Sequence, residues 1–312
     1  MARQIQEAFM KTLISLENLC HEEWIKSRRK GIGSSDAASI LGINPWKSAI
    51  QLWGEKTGLI EEADLSENEA VEWGIELEDL IARKYARVTK RELERPTHIY
   101  RHSEHEWMLG NPDRFIVGDP RGMGILEIKT TGAHHTADWE EEAPEYYQVQ
   151  LQHLLAVTGL SWGSFAVLIG GQKFRWMDVL RNDNFITFLI SKEEAFWDCV
   201  LTGRAPDPDA SESARKALAL IYPEEKSEEC IDLPEGASQW ADEIDRGKEL
   251  IKEGKALLLR GENMMKAAIG NASIGKLSDG RAYSWKVQHR DGYAVPPSDY
   301  RVLREIKFKG GK

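Results

Sequence analysis

The chemistry this chain offers most directly sits in Asp113, Glu127 and Lys129. Glu127-Ile128-Lys129 continues the apolar run Gly124-Ile125-Leu126, which reads as a strand. Side chains alternate along a strand, so Glu127 and Lys129 share one face and Ile128 takes the other. Asp113 enters from the preceding strand, across a turn at Asp119-Pro120-Arg121-Gly122. Two converging carboxylates are hard oxygen ligands suited to Mg²⁺ or Mn²⁺, and the Ile128 carbonyl is a further candidate ligand. Such a metal polarises a phosphodiester and lowers the pKa of its bound water. A lysine alongside orients or activates that water and stabilises developing charge. An Asp…Glu-x-Lys pattern is short and also arises as a surface ion pair, with Asp113 capping a turn after Pro112. The apolar setting favours the site, because charges buried there need partners.

Further residues are drawn toward this group. In the helical stretch around Trp73–Tyr85, Glu78 shares a face with Ile81, Ala82 and Tyr85, where a carboxylate is costly unless it meets a cation. Glu76 and Asp79 fall on the wetter side. In Tyr147-Gln148-Val149-Gln150-Leu151-Gln152, Gln148 and Gln152 share one helix face, whereas Gln150 lies with Tyr147 and Leu154. A polar helix of this kind behind the strand positions the lysine or a phosphate. Earlier, Gly31-Ile32-Gly33-Ser34-Ser35-Asp36 is a turn opening a helix. Its backbone N–H groups, the Ser35 hydroxyl and the Arg28 guanidinium suit an anion such as phosphate. Arg29 and Lys30 are alternatives to Arg28. The plainer reading is an N-cap beside a solvated basic run. His153 alone, and the adjacent His134-His135 without a spaced third ligand, are weak metal candidates.

The elements that position these residues follow the chain. Residues 5–20 have the spacing of an amphipathic helix, with Ile5, Phe9, Leu13 and Leu16 on one stripe. Helices are expected over 36–41, 48–57 and 68–89. Strands follow over 97–102, 107–109, 115–117 and 124–130, then a helix over 143–158. A hairpin over 163–170 and 174–180 precedes a helix over 184–202. The pattern predicts an α/β core, a mixed central sheet flanked by helices, spanning 1–205. Pro206, Pro208, Pro223 and Pro234 make 206–238 linker-like. A helix over 239–268 and a hairpin over 273–288, turning at Asp279-Gly280, form a smaller α+β appendage within 239–312.

The bulk composition limits the alternatives. The chain is 41% hydrophobic and 29% charged, as in ordinary globular proteins. Its first residues are not a signal peptide and no apolar run spans a membrane, so a cytoplasmic location is expected. Cys20, Cys199 and Cys230 are scattered and odd in number, which argues against a disulfide framework or a closed cysteine zinc site and excludes a four-cysteine iron–sulfur cluster within one chain. The net charge of −10 opposes a polyanionic partner for the molecule as a whole. It leaves room for a local patch such as Lys26, Arg28, Arg29 and Lys30.

Together these segments resemble the YqaJ-type viral recombinase family, relatives of phage lambda exonuclease among the PD-(D/E)xK nucleases. The resemblance rests on Trp24-x-x-x-Arg28, Gly33-Ser34-Ser35-Asp36-Ala37-Ala38-Ser39-Ile40-Leu41-Gly42 and Trp73-Gly74-x-x-x-Glu78. It continues in Asn111-Pro112-Asp113, Leu126-Glu127-Ile128-Lys129 and Tyr147-x-x-Gln150-x-Gln152, covering roughly residues 20–200. It implies a restriction-endonuclease-like fold and Mg²⁺-dependent 5′-to-3′ digestion of linear duplex DNA, leaving 3′ overhangs for phage-type recombination. By the same resemblance Asp113 and Glu127 match metal ligands, Lys129 the catalytic lysine, and Glu78 a helix glutamate near the metal. Arg28 and Ser35 match a 5′-phosphate pair, and Gln150 a glutamine supporting the lysine. A single-strand annealing protein as partner and a trimeric homo-oligomer are implied by analogy. Arg114 stands where the family often has glycine, and residues beyond about 205 have no counterpart in the short lambda enzyme. The alternatives are a metal-dependent endonuclease and a non-catalytic DNA-binding protein on the same fold.

Overall fold

The computed structural model describes residues 11–17, 26–63, 67–225 and 230–289. Its strands are β1 (Lys11–Ser15), β2 (Ile32–Gly33), β3 (Glu92–Glu94), β4 (His98–Arg101), β5 (Met108–Gly110) and β6 (Arg114–Val117). Next come β7 (Gly124–Thr131), β8 (Trp162–Ile169), β9 (Lys173–Leu180), β10 (Ile274–Lys276) and β11 (Ala282–Ser284). The helices are α1 (Ala37–Ile40), α2 (Ala49–Thr57), α3 (Glu69–Thr89), α4 (Glu145–Thr158), α5 (Asp183–Thr202), α6 (Glu212–Ile221) and α7 (Ala237–Ile269). Two compact units divide the chain, residues 1–223 and 224–312.

The first unit is the expected mixed sheet flanked by helices, an α/β core. Its main sheet runs β3-β6-β7-β8-β9. β7 and β8 are parallel, with Glu127 opposite Phe165 and Lys129 opposite Val167. The other neighbours are antiparallel. A parallel pair cannot be closed by a tight turn, and α4 provides the crossover between β7 and β8. Gly124 opens β7 because a Cβ there would meet the Trp162 ring at 2.6 Å.

Each face of the sheet has its own helix. α3 starts where the Asn68 side chain accepts from the Ala70 and Val71 N–H groups, with Glu69 and Glu72 in its first turn. It buries Ile81, Ala82 and Tyr85 against Leu126, Ile128 and Trp162. α4 buries Leu151, Leu154 and Leu155 against Ile125, Phe165 and Val167. A second sheet, β1-β4-β5-β2, lies in the same unit.

Two expectations are corrected. Residues 11–15 form strand β1 rather than helix, pairing antiparallel with β4 across an irregularity between Thr12 and Ile14. Lys11-Thr12-Leu13-Ile14-Ser15 carries β-branched residues that fit a pleated edge, and pairing outweighed the helical stripe. Residues 5–10 and 18–20 of the expected helix, with Cys20, and also Trp24 lie outside the described residues. The linker-like segment 206–238 contains α6, where Ala214 and Ala217 pack with Ile50 and Phe196. The prolines flank that helix rather than interrupt it. Short strands β2 and β3 were not legible, since two or three residues give no period.

The second unit holds α7 and the β10–β11 hairpin. Ile269 packs at Gly275, where a Cβ would lie 2.8 Å from its Cγ1. Elsewhere α7 exposes its apolar side chains, with Trp240, Ile251 and Leu258 all on the surface. Among the described residues no helix is long and apolar enough to cross a membrane.

Candidate active site and metal centre

Strand alternation places Glu127 and Lys129 on the α4 face of β7. Glu127 is completely buried. Its Oε2 accepts from Lys129 Nζ at 2.8 Å and from Gln150 Nε2 at 2.7 Å. Its Oε1, equally buried, has no hydrogen-bond partner among the described residues. Gln150 therefore touches the glutamate, gripping the oxygen that the lysine holds, and acts on Lys129 through it. Lys129 Nζ also lies 5.0 Å from the centroid of the Tyr147 ring. Tyr147 stacks with Tyr146, whose ring meets Trp46, an exposed residue, edge-on at 5.2 Å.

Asp113 joins from the loop between β5 and β6. Its Oδ2 accepts from the Ile128 N–H at 2.6 Å. Burial and the neighbouring Glu127 charge push the Asp113 carboxyl up to about 8, against the pull of Lys129 and the Ile128 amide. The Lys129 pKa is raised as well. Burial alone would lower its pKa, but Glu127 and Asp113 outweigh that and hold the ammonium charged. The two carboxylates thus share a pocket with less positive charge than they need. Such a donor set fits a hard divalent cation, and the unpartnered Glu127 oxygen marks where one is wanted. Ile128 sits between them, its amide already engaged by Asp113.

Glu78 lies close enough for its charge to raise the Asp113 pKa further, and its own carboxylate is paired. Its Oε1 accepts from Arg114 Nη1 at 2.5 Å, while Arg114 Nη2 reaches Asp79 Oδ1 at 2.5 Å. Arg114 also donates to the Asp113 carbonyl and is itself buried. Among the described residues no group of three acidic, histidine or cysteine side chains forms a metal cage. The physical reason is Arg114. On β6 it alternates with Phe115 and points to the α3 side, where a buried guanidinium requires counter-charge. Asp79, assigned to the wetter side, supplies part of it. The sequence signal was present, since a cation within the apolar strand Arg114-Phe115-Ile116-Val117 must face carboxylates.

The Gly-rich turn brings Arg28 to Ser35, with Nη2 3.3 Å from Oγ. Arg29 and Lys30 are exposed. Arg28 also pairs with Asp36 at 3.6 Å and Glu62 at 3.2 Å. Asp36 is buried, accepts from the Gly33 N–H at 3.0 Å and pairs with Lys56 at 2.7 Å. Burial would raise its pKa, but Lys56 and Arg28 outweigh that and hold it far below the usual carboxylate range. Lys56 also donates to the Arg28 carbonyl at 2.8 Å, fixing the backbone that presents the guanidinium. Nothing local in the sequence joins Lys56 to this turn. Gly31 permits the close approach, because a Cβ there would sit 2.3 Å from the Trp107 carbonyl oxygen. β2 pairs in parallel with β5, Gly33 opposite Leu109, so Ser35 and Asp113 leave the same end of that pair.

His153 is a tether. Its Nδ1 lies 2.8 Å from Glu193 Oε1 and its Nε2 2.9 Å from the Leu109 carbonyl. Two acceptors suit an imidazolium. Burial lowers its pKa, but Glu193 outweighs that and raises it. His153 thereby joins α4 to α5 and to β5. His135 pairs with Asp138 at the surface, and His134 stacks on it.

Residues 23–161 match the YqaJ-like viral recombinase domain. The chain is 38% identical over 280 residues to the uncharacterized protein YqaJ of Bacillus subtilis (strain 168), covering 88% of this chain and 86% of that one. It belongs to the YqaJ-like viral recombinase family. Among solved structures, an alkaline exonuclease from Laribacter hongkongensis overlaps at TM-score 0.49 and 18% identity, covering 59% of this chain and 94% of that one. A phage related exonuclease from Haemophilus somnus 129PT overlaps at TM-score 0.44 and 13% identity, covering 58% and 100%. The match to the YqaJ-like family model takes in Arg28, Ser35, Glu78, Asp113, Glu127, Lys129 and Gln150.

Proposed function

We propose that this protein hydrolyses DNA phosphodiesters with a divalent cation, Mg²⁺ with Mn²⁺ as a substitute. It acts as a 5′-to-3′ exonuclease on linear duplex ends and leaves 3′ overhangs for recombination. The observation that carries the reading is the fully buried Glu127, whose Oε1 lacks a partner among the described residues, beside an Asp113 that burial and like charge disfavour as an anion. An unsatisfied buried carboxylate oxygen is costly, and a cation removes that cost. Asp113, Glu127 and the Ile128 carbonyl would hold the ion, which supplies Lewis acidity and an activated water. Lys129, held charged, stabilises negative charge developing on the phosphoryl group. Gln150 fixes the glutamate oxygen that faces the lysine. Arg28 and Ser35 take the terminal 5′-phosphate, with the phosphate displacing Glu62 from the guanidinium. A single-strand annealing protein and assembly into a homo-oligomer, a trimer by analogy, belong to the same proposal.

The test is digestion of 5′-phosphorylated linear duplex in Mg²⁺, compared with 5′-hydroxyl ends and covalently closed circles. Wild type degrades the first fastest and spares the circles, and Arg28→Ala abolishes the preference for 5′-phosphate. Equal attack on circles would turn the assignment to an endonuclease. Absence of hydrolysis in Mg²⁺ and Mn²⁺ would leave a non-catalytic DNA-binding protein.

A further inference from the structure

A cleft of about 730 Å³ lies between α3 and the β8–β9 hairpin, on the sheet face opposite Glu127 and Lys129. Arg83, Lys84 and Arg87 line one side. At spacings of one, three and four residues they lie close together on a helix. The hairpin tip, Gly171 and Gln172, lines the other side, and Leu168 and Phe174 are also exposed to the cleft. Leu80 and Val88 add apolar surface, 52% and 46% exposed. Lys84 Nζ stands 5.8 Å from the centroid of the Phe174 ring.

The three cations differ from their neighbours. Arg91 pairs with Asp178, Arg95 with Asp79, Arg114 with Glu78 and Arg121 with Asp119. Among the described residues no carboxylate within 4.0 Å engages Arg83, Lys84 or Arg87. In a chain of net charge −10, an unneutralised basic stripe is a local exception that calls for an anionic ligand. The cleft combines that stripe with apolar and aromatic surface. Phosphate contacts alone would use only the first, and a duplex keeps its bases stacked inside. A single strand presents phosphates and unstacked bases together, and binding sites for it pair a basic groove with aromatic platforms.

We infer that this cleft binds single-stranded nucleic acid, with Arg83, Lys84 and Arg87 on its phosphates and its bases against Phe174, Leu80 and Val88. The ligand class rests on the nuclease reading, and the site extends that reading to a strand held on the other face of the sheet.

Fluorescence anisotropy of a fluorescein-labelled oligo-dT tests it, using the full chain carrying Lys129→Ala in metal-free buffer. Replacing Arg83, Lys84 and Arg87 together by alanine weakens binding about ten-fold or more at low salt, and reduces the slope of log affinity against log salt by about 2. Removing Arg204, Arg215 and Lys216 instead, exposed cations elsewhere in the same unit, leaves both unchanged. Circular dichroism confirms that both variants are folded. Three results overturn the inference: unchanged oligo-dT binding in the Arg83/Lys84/Arg87 variant, an equal loss of blunt-duplex binding, or displacement of oligo-dT by polyglutamate of matched charge. Wild-type chain lacking Mg²⁺-dependent hydrolysis but binding oligo-dT through the cleft would sink the nuclease reading alone. Intact hydrolysis with cleft-independent strand binding would sink the cleft alone.

Discussion

The two faces of the main sheet treat charge in opposite ways. Under α3, Leu126 and Ile128 meet Ile81, Ala82, Tyr85 and Trp162 in an apolar layer, and the Arg91 and Arg114 guanidinium groups at its margins have carboxylates already supplied. Under α4, the same strand sends Glu127 and Lys129 into a layer that also buries His153 and Glu193. Among the described residues, both of those buried carboxylates keep one oxygen without a partner, Glu127 Oε1 and Glu193 Oε2. Both faces carry an apolar core, and the α4 face in addition buries charged groups at a cost in stability, a trade common at active sites. A single strand with period two serves both, because adjacent residues never compete for one environment.

That contrast yields graded predictions. The largest effect belongs to the reacting group. Lys129→Ala should cut hydrolysis per folded molecule about a hundred- to ten-thousand-fold, measured by single-turnover kinetics, and calorimetry should show a lower thermal midpoint because the buried Glu127 loses its cation. In the same calorimeter Mg²⁺ should raise the midpoint of wild type and not that of Asp113→Asn, and chelation should reverse the gain. A midpoint indifferent to Mg²⁺ would break the metal assignment without any reference to turnover.

Next comes the tether behind the site. His153→Phe strands Glu193 without its cation and should cost about 3–5 kcal/mol in urea unfolding. Replacing Glu193 by leucine as well should recover much of that, since an apolar pair no longer buries a lone charge. Because His153 holds its proton more tightly folded than unfolded, its contribution is complete below about pH 6.5 and fades as pH rises through the folded pKa. Stability of wild type minus that of the double variant should therefore fall with rising pH. A pH-independent difference would contradict a charged His153.

On the α3 face, Ile81→Ala should cost about 2–5 kcal/mol through the cavity it leaves, while turnover per folded molecule stays near wild type. If turnover fell as steeply as after Lys129→Ala, the separation of the two faces would be wrong. The smallest effect is expected for Arg114→Ala, about 1–3 kcal/mol, because its partners Glu78 and Asp79 are partly solvated. The same substitution frees Glu78, so a second bound Mg²⁺ detected by calorimetric titration would show that Arg114 occupies a cation's place.

Much of the site was legible because it is local. Glu127 and Lys129 are two residues apart on one strand, and alternation alone puts them together. Arg28 and Ser35 flank one turn, and the structure sets them 3.3 Å apart. Gln150 was placed near the lysine, but which atom it holds depended on how α4 crosses β7. Glu78 was seen to need a cation, yet nothing nearby told a metal from Arg114, 36 residues on. Lys56 went unnoticed, because its match to Asp36 exists only after α2 packs beside the turn. The strand at 11–15 was misread for a related reason: a lone edge strand takes its identity from its neighbour.

What the sequence by itself determined is the chemistry on offer and the face on which it stands, since residue type and the period of two are properties of the chain. The tertiary structure decided who neutralises whom. It gave Glu78 to Arg114, tied Asp36 to Lys56 and locked His153 to Glu193, leaving Glu127 Oε1 bare beside Asp113. Charges are satisfied through space over a few ångströms, and those ångströms are set by how helices pack on the sheet, at sequence separations that no local pattern records.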